Sequence, residues 1–298
     1  MAINFPTSPA FHVWQPAAWL RVEGGDAATF LQGQFTNELR GLPVRGAVYG
    51  LWLNLKGRVL ADSFVLRGSG ADEFWVGSYF SSAAVMGERL ESYVIADDVT
   101  ITDATPEWAG VSLLGAGTWE ALTAKPVAGF VFRGRRERTE NVEWIFPAAE
   151  IAAVRARLQS GRELDVGEME HRRITAGIPA VPADVGLGDL PNEGGLEADA
   201  ISYTKGCYLG QEVMARLKSM GRVRRRLLRV AAAEENIPAR LAALFSGSRK
   251  IGELRSAARD PAGGWVGLAM LSLLPLTPDS VLSLAADGPP VIKLLDAP

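Results

Sequence analysis

Cys207 is the only thiol in the chain, and His12 and His171 are its only imidazoles. No disulfide can form within such a molecule, and too few soft ligands are present for a four-cysteine or cysteine-histidine zinc or iron-sulfur site. The fold therefore has to be held by apolar burial. With 298 residues, 48% of them apolar and 22% charged, the chain carries enough apolar surface for about two domains. Its unbroken apolar runs are short compared with the roughly 20 residues needed to cross a bilayer. Met1 to Pro16 lacks a basic segment followed by an apolar one, so membrane insertion and secretion are not expected and the expected location is the cytoplasm. A net charge of −3 gives the whole molecule no attraction for nucleic acid, which favours a small molecule as partner.

The sequence has no repeat of fixed period and no low-complexity segment. Apolar spacing predicts a helix from Asp26, as N-cap, to Leu39, a second over Ser81 to Tyr93 and a third over Ala148 to Gln159. Strand-like runs occupy Ala47 to Leu53 and Val59 to Leu66. Gly177 to Asp199 is rich in Pro and Gly and exceeds the about 12–15 residues beyond which loops are usually functional, so it is expected to border a site. After Gly221 the texture changes to short β-like runs: Arg226 to Val230, Lys250 to Ala257, Trp265 to Leu271 and Val281 to Leu284. The predicted class is α+β, with an α+β body over 1–221 and a small antiparallel barrel over 222–298.

Chemistry concentrates in Lys205-Gly206-Cys207-Tyr208-Leu209-Gly210-Gln211-Glu212. Two glycines flank the thiol, and helix formers from Gln211 to Lys218 place it just before a helix N-terminus, where the dipole favours a thiolate. Lys205 adds a positive charge. A nucleophile or soft ligand is one reading of Cys207; a small buried apolar residue is the other, and composition does not choose between them.

Other signals carry less. Gly115-Ala116-Gly117 follows an apolar run and precedes a short helical stretch, but Glu120 stands where a dinucleotide fingerprint needs its third glycine. Arg216, Lys218, Arg222, Arg224, Arg225, Arg226 and Arg229 form a cationic cluster that fits a polyglutamate tail, an RNA backbone or the wet side of a strand. Arg133, Arg135, Arg136 and Arg138 are expected at an exposed hairpin tip.

The octet matches the signature of the YgfZ family at each of its eight places. Phe30-Leu31-Gln32-Gly33-Gln34 with Thr36-Asn37, Asn54-Leu55-Lys56-Gly57-Arg58, and Arg173-Ile174-Thr175-Ala176-Gly177-Ile178-Pro179 are similar to further segments of that family. The resemblance covers roughly residues 17 to 230. It implies two folate-binding subdomains like those of the glycine-cleavage T-protein, followed by a C-terminal antiparallel β-barrel, around a hole that accepts tetrahydrofolate or a derivative. The implied role is assembly or repair of iron-sulfur enzymes, tRNA-modifying ones included, with partners among those enzymes or their assembly proteins and Cys207 and Lys205 at the working centre. Cofactor contacts would fall on Trp19, Asp62, Met169, Arg173 and Tyr203. Trp19 corresponds to a stacking tryptophan, Met169 to a second one, and Asp62 to one acid of a pair whose other place holds Ala61. Thr175 stands where relatives carry a pterin-binding glutamate, with Glu170 or Glu193 as possible substitutes. A tetrahydrofolate-dependent aminomethyltransferase and a non-catalytic module that docks a partner or RNA are the alternative readings.

Overall fold

The computed structural model describes residues 3, 5, 8–70, 72–124, 127–221, 223–274, 276–277 and 279–297. The chain opens with β1 (Ala10–Trp14), then lays down β2 (Ala18–Glu23), α1 (Ala27–Gln32), β3 (Ala47–Leu53), β4 (Val59–Arg67), β5 (Glu73–Ser78), α2 (Ala83–Glu91) and β6 (Thr100–Asp103). These strands, without β1, form a five-stranded sheet in the order β3-β4-β5-β2-β6. The chain next returns to β1 and builds a second sheet around it. That sheet comprises β7 (Trp108–Leu114), β8 (Phe130–Arg133), β9 (Asn141–Pro147) and β10 (Arg162–Glu163), ordered β10-β1-β7-β9-β8, with α3 (Thr118–Thr123) and α4 (Ile151–Arg157) between its strands.

Successive strand residues face opposite sides, and here both sides are covered. Trp19, Leu51, Phe64, Trp75, Phe130 and Ile145 meet in a core between the two sheets. Leu20, Val22, Val65 and Val76 turn the other way, onto Leu31, Met86 and Leu90 of α1 and α2. Val111, Val142 and Trp144 likewise bury against Leu122 and Val154 of α3 and α4. The body is thus a layered α+β structure, as the mixed patterning led one to expect.

After α5 (Val166–Thr175), α6 (Glu197–Ala200) and α7 (Gln211–Met220), the chain forms β11 (Arg225–Ala232), β12 (Ala243–Ser246), β13 (Arg249–Arg259), β14 (Trp265–Ser272), β15 (Val281–Leu282) and β16 (Ile292–Leu294). They pair antiparallel in the order β12-β13-β14-β11-β16-β15, and a bridge between Phe245 and Ser283 nearly closes this sheet into a barrel. β11 shows the reason: Leu228, Val230 and Ala232 face inward while the residues between them are half-buried. Ile174 of α5 packs on Val266, Leu268 and Ala258 outside the barrel, which brings the C-terminal end of α5 to the junction of barrel and body.

The first helix is shorter than its apolar spacing predicts. It stops at Gln32 because Phe35 forms a bridge to Trp52, and the Thr36 hydroxyl donates to the Ala200 carbonyl at 2.6 Å. Strands β12 and β16, four and three residues long, were too brief to stand out in the sequence. The glycine pair before α3 serves no dinucleotide: the Glu140 carboxylate takes hydrogen bonds from the Gly117 and Trp119 amides, and β7 runs antiparallel to both of its neighbours.

Candidate functional site

The octet is anchored at both ends by the other two N-terminal motifs. The Lys205 ammonium donates to the carbonyls of Gln32, Phe35 and Asn37 at 2.8, 2.6 and 2.8 Å. Those carbonyls, rather than the thiol, are its hydrogen-bond partners, and burial pulls the ammonium down to about 8. At the other end Gly210, with φ 85°, lies against the Asn54–Arg58 turn, where a Cβ would stand 2.7 Å from the Asn54 carbonyl oxygen. Gly57 of that turn is also left-handed, at φ 68°, and is covered by Val213 and Met214 of α7. Between the two anchors Tyr208 is buried while Cys207 is exposed.

Among the cavities that lie elsewhere two share part of their walls, and Cys207 lines neither. The larger, about 840 Å³, opens where the β8–β9 hairpin, the end of α5, the long loop and the barrel strand β11 meet; Arg138, Thr175, Gly177, Asp199, Arg226 and Arg229 are among its walls. The second, about 450 Å³, has a more aromatic wall from Tyr49, Phe64, Phe132 and Trp119. Arg135 and Asp199 line both. They pair at 3.0 Å, and the Arg135 guanidinium stands 3.9 Å from the centre of the Tyr49 ring. The long loop does border the cavity, as its length foreshadowed.

Behind this waist lie two sealed carboxyls. Asp62 accepts from the Tyr49 hydroxyl at 2.8 Å and from the Ser78 and Ser81 hydroxyls at 2.9 Å, and burial raises its pKa. Glu143 accepts from Tyr79, Asn141, Ser112 and the Trp14 indole, and burial raises it too. Asp62 therefore reaches the second cavity only through Tyr49. Glu143 was missed in the sequence, although an acid alternating into the apolar strand Val142-Glu143-Trp144-Ile145 was a readable signal.

The remaining candidates are dispersed. Trp19 is 1% exposed, with Trp75 stacked at 5.7 Å and Trp108 and Phe130 on its other sides. Met169 is buried with Leu114 and Leu164. Arg173 ties α5 to Asp184 at 2.7 Å, to Ser256 of the barrel at 3.0 Å, and to Glu170. Tyr203 is half-buried beneath the Lys218 ammonium, 4.3 Å from its ring. Glu170 and Glu193, read as possible pterin acids, are held in ion pairs by Arg173 and Arg225 and line no part of the larger cavity. The acids that do line it are Glu137, Asp199 and Asp296.

The cationic cluster also divides. Arg225 and Arg229 are tied to acids, Arg216, Lys218, Arg224 and Arg226 are exposed, and Arg222 lies outside the described residues. The Arg133–Arg138 hairpin is not simply a solvent-facing tip. Arg136 is 7% exposed, stacked on Tyr79 and Trp14, and Arg135 and Arg138 face the large cavity because the hairpin folds back over the end of α5.

Residues 15–126 match the family described as the GCVT N-terminal domain. A curated relative, "tRNA-modifying protein YgfZ" of Edwardsiella ictaluri, is 30% identical over 308 residues, covering 96% of this chain and 90% of its own. Another, "Iron-sulfur cluster assembly factor IBA57, mitochondrial" of Mus musculus, is 33% identical over 232 residues; the match takes in 72% of this chain but only 63% of the mouse protein. Among solved structures, the glycine cleavage system aminomethyltransferase T from Bartonella henselae superposes with a TM-score of 0.77 over 93% of this chain and 81% of its own, at 15% identity, which establishes a shared fold. Among the described residues no helix is long and apolar enough to cross a membrane. With these matches, and with three motifs of that lineage meeting at one place in the fold, the chain belongs to the YgfZ/IBA57 family within the GcvT-like superfamily.

Proposed function

We propose that this protein is a folate-binding accessory factor for iron-sulfur enzymes, acting in the cytoplasm, with tetrahydrofolate or a derivative held in the larger cavity and Cys207 offered to a partner. The names of the relatives, an iron-sulfur cluster assembly factor and a tRNA-modifying protein, support the biological half. One observation carries the chemical half: the 840 Å³ cavity, rich in arginine, shares Arg135 and Asp199 with an aromatic-walled cavity of 450 Å³. A folate joins a flat heteroaromatic ring to a carboxylate-bearing tail. Aromatic faces suit the first part and guanidinium groups the second.

The residues present fit that ligand with one substitution of role. Thr175 lines the cavity and offers a hydroxyl where a carboxylate would take two hydrogen bonds from the pterin. Asp199, which lines both cavities, supplies a carboxylate instead, shared with Arg135. In this reading Asp62 orients Tyr49 through the 2.8 Å hydrogen bond and does not touch the ligand. Trp19, stacked on Trp75 in the core between the sheets, lines neither cavity and does not touch the ligand. Cys207, outside both cavities, reacts with or ligates something borne by a partner, and Lys205 positions its loop.

Calorimetric titration with tetrahydrofolate tests the binding half. Saturable heat in the micromolar range is expected; none at high micromolar ligand would end the folate reading. For the thiol, Cys207→Ala is expected to leave iron-sulfur enzyme activity unrestored in a strain lacking the protein, whereas full rescue would make the cysteine structural.

A further inference from the structure

The acids of the large cavity already have partners, and two of its arginines have no carboxylate partner among the described residues. Arg229 pairs with Asp296, Arg135 with Asp199, and Glu137 is held by Arg172. Arg138 and Arg226 line the same space, and neither meets a carboxylate among the described residues. The end of α5 gathers this charge. Arg229 Nη1 donates to the Thr175 carbonyl at 2.7 Å and Arg138 Nε to the Ala176 carbonyl at 2.5 Å. Carbonyls at a helix C-terminus carry partial negative charge, so they hold two guanidinium groups that would otherwise repel one another. Gly177 follows with φ 67°, and a Cβ there would touch both Arg229 Cδ, at 3.5 Å, and Arg138 Nη2, at 3.7 Å. Those are ordinary contact distances, so it is the left-handed backbone that favours glycine here.

We propose that Arg138 and Arg226 form an anion subsite in this cavity, and that the ligand it selects is a folate bearing several glutamyl carboxylates. The inference rests on the folate reading above. Arg138 comes from the β8–β9 hairpin and Arg226 from β11, so the subsite spans the seam between body and barrel. A second and third γ-linked glutamate place further carboxylates along an extended chain, where each unneutralised guanidinium takes one in a charge-assisted, bidentate contact. At 840 Å³ the cavity is near the top of the about 300–1,000 Å³ range of small-molecule sites, which leaves room for a tail beyond a single glutamate.

The test compares calorimetric affinities of monoglutamyl and triglutamyl tetrahydrofolate for the full chain and for Arg138→Gln, Arg226→Gln and Arg216→Gln. Wild type is expected to bind the triglutamate about tenfold more tightly, the effect of roughly one retained charge-assisted contact. Arg138→Gln and Arg226→Gln each remove one of the two contacts and are expected to lower that ratio severalfold. It persists in Arg216→Gln, whose site on α7 lines neither cavity. Unchanged melting temperatures for the variants exclude misfolding as the cause. Equal affinity for the two folates, or a ratio untouched in both cavity variants, overturns the subsite while leaving folate binding intact. Absence of binding to either folate overturns the folate reading and the subsite with it.

Discussion

Lys205 donates a hydrogen bond to the Phe35 carbonyl at 2.6 Å across 170 positions of sequence. With the Gln32 and Asn37 carbonyls it completes a three-acceptor cage in which the lysine is 5% exposed. Lys205→Met keeps much of the volume and strands all three carbonyls. A buried polar group left unpaired costs about 1–3 kcal/mol, so urea denaturation is expected to show a loss of about 3 kcal/mol or more. A loss under about 1 kcal/mol would mean that water replaces the ammonium and that the cage is not what holds the octet.

Gly210 makes the matching prediction at the other anchor. A methyl group there would sit 2.7 Å from the Asn54 oxygen and 3.2 Å from Leu53 Cβ, on a backbone with φ 85°. The left-handed conformation alone costs a non-glycine residue roughly 1–2 kcal/mol, and the backbone contact adds strain. Gly210→Ala is therefore expected to lose more than about 2 kcal/mol and to shift the near-ultraviolet spectrum of the buried Tyr208. An undisturbed midpoint would show the turn moving aside.

Local patterns carried β3 and β4 almost to their ends and marked the octet, because alternation and glycine punctuation are written in neighbouring residues. The cavity was not legible in the same way. Arg135 and Asp199 pair across 64 positions, and nothing near either residue says which acid an arginine will find. Trp19, Met169 and Arg173 carried a resemblance that spoke of ligand contact, yet all three are buried at 3% exposure or less; only the packing of both sheets, and of α5 on the barrel, decides that.

Asp62 sets a pH dependence whose sign follows from its burial. Its folded-state pKa is raised, chiefly by desolvation, so the native state keeps the proton more tightly than the unfolded chain does. The stabilisation this provides is complete below the unfolded value of about 3.9 and is lost as pH rises through the folded one. Asp62→Asn removes the titration. The stability of wild type minus that of the variant, measured by urea unfolding, is expected to decrease from pH 4 upward and then level off. A difference that grows with pH would mean that Tyr49, Ser78 and Ser81 hold the charged form more strongly than burial opposes it.

Cys207 is exposed on a segment whose neighbours are fixed, and this separates access to the thiol from the state of the cavities. A reagent that forms a mixed disulfide with free thiols needs only an approach path and some thiolate. Native protein is therefore expected to label at one site per chain without denaturant. Saturation of the large cavity with tetrahydrofolate is expected to leave the labelling rate within about twofold, because Cys207 lines neither cavity and the loop that carries it is pinned by Lys205 and Gly210. Strong protection by folate would place ligand against the sulfur and return the thiol to the chemistry of the cavity. Labelling confined to unfolded protein would remove Cys207 from any encounter with a partner.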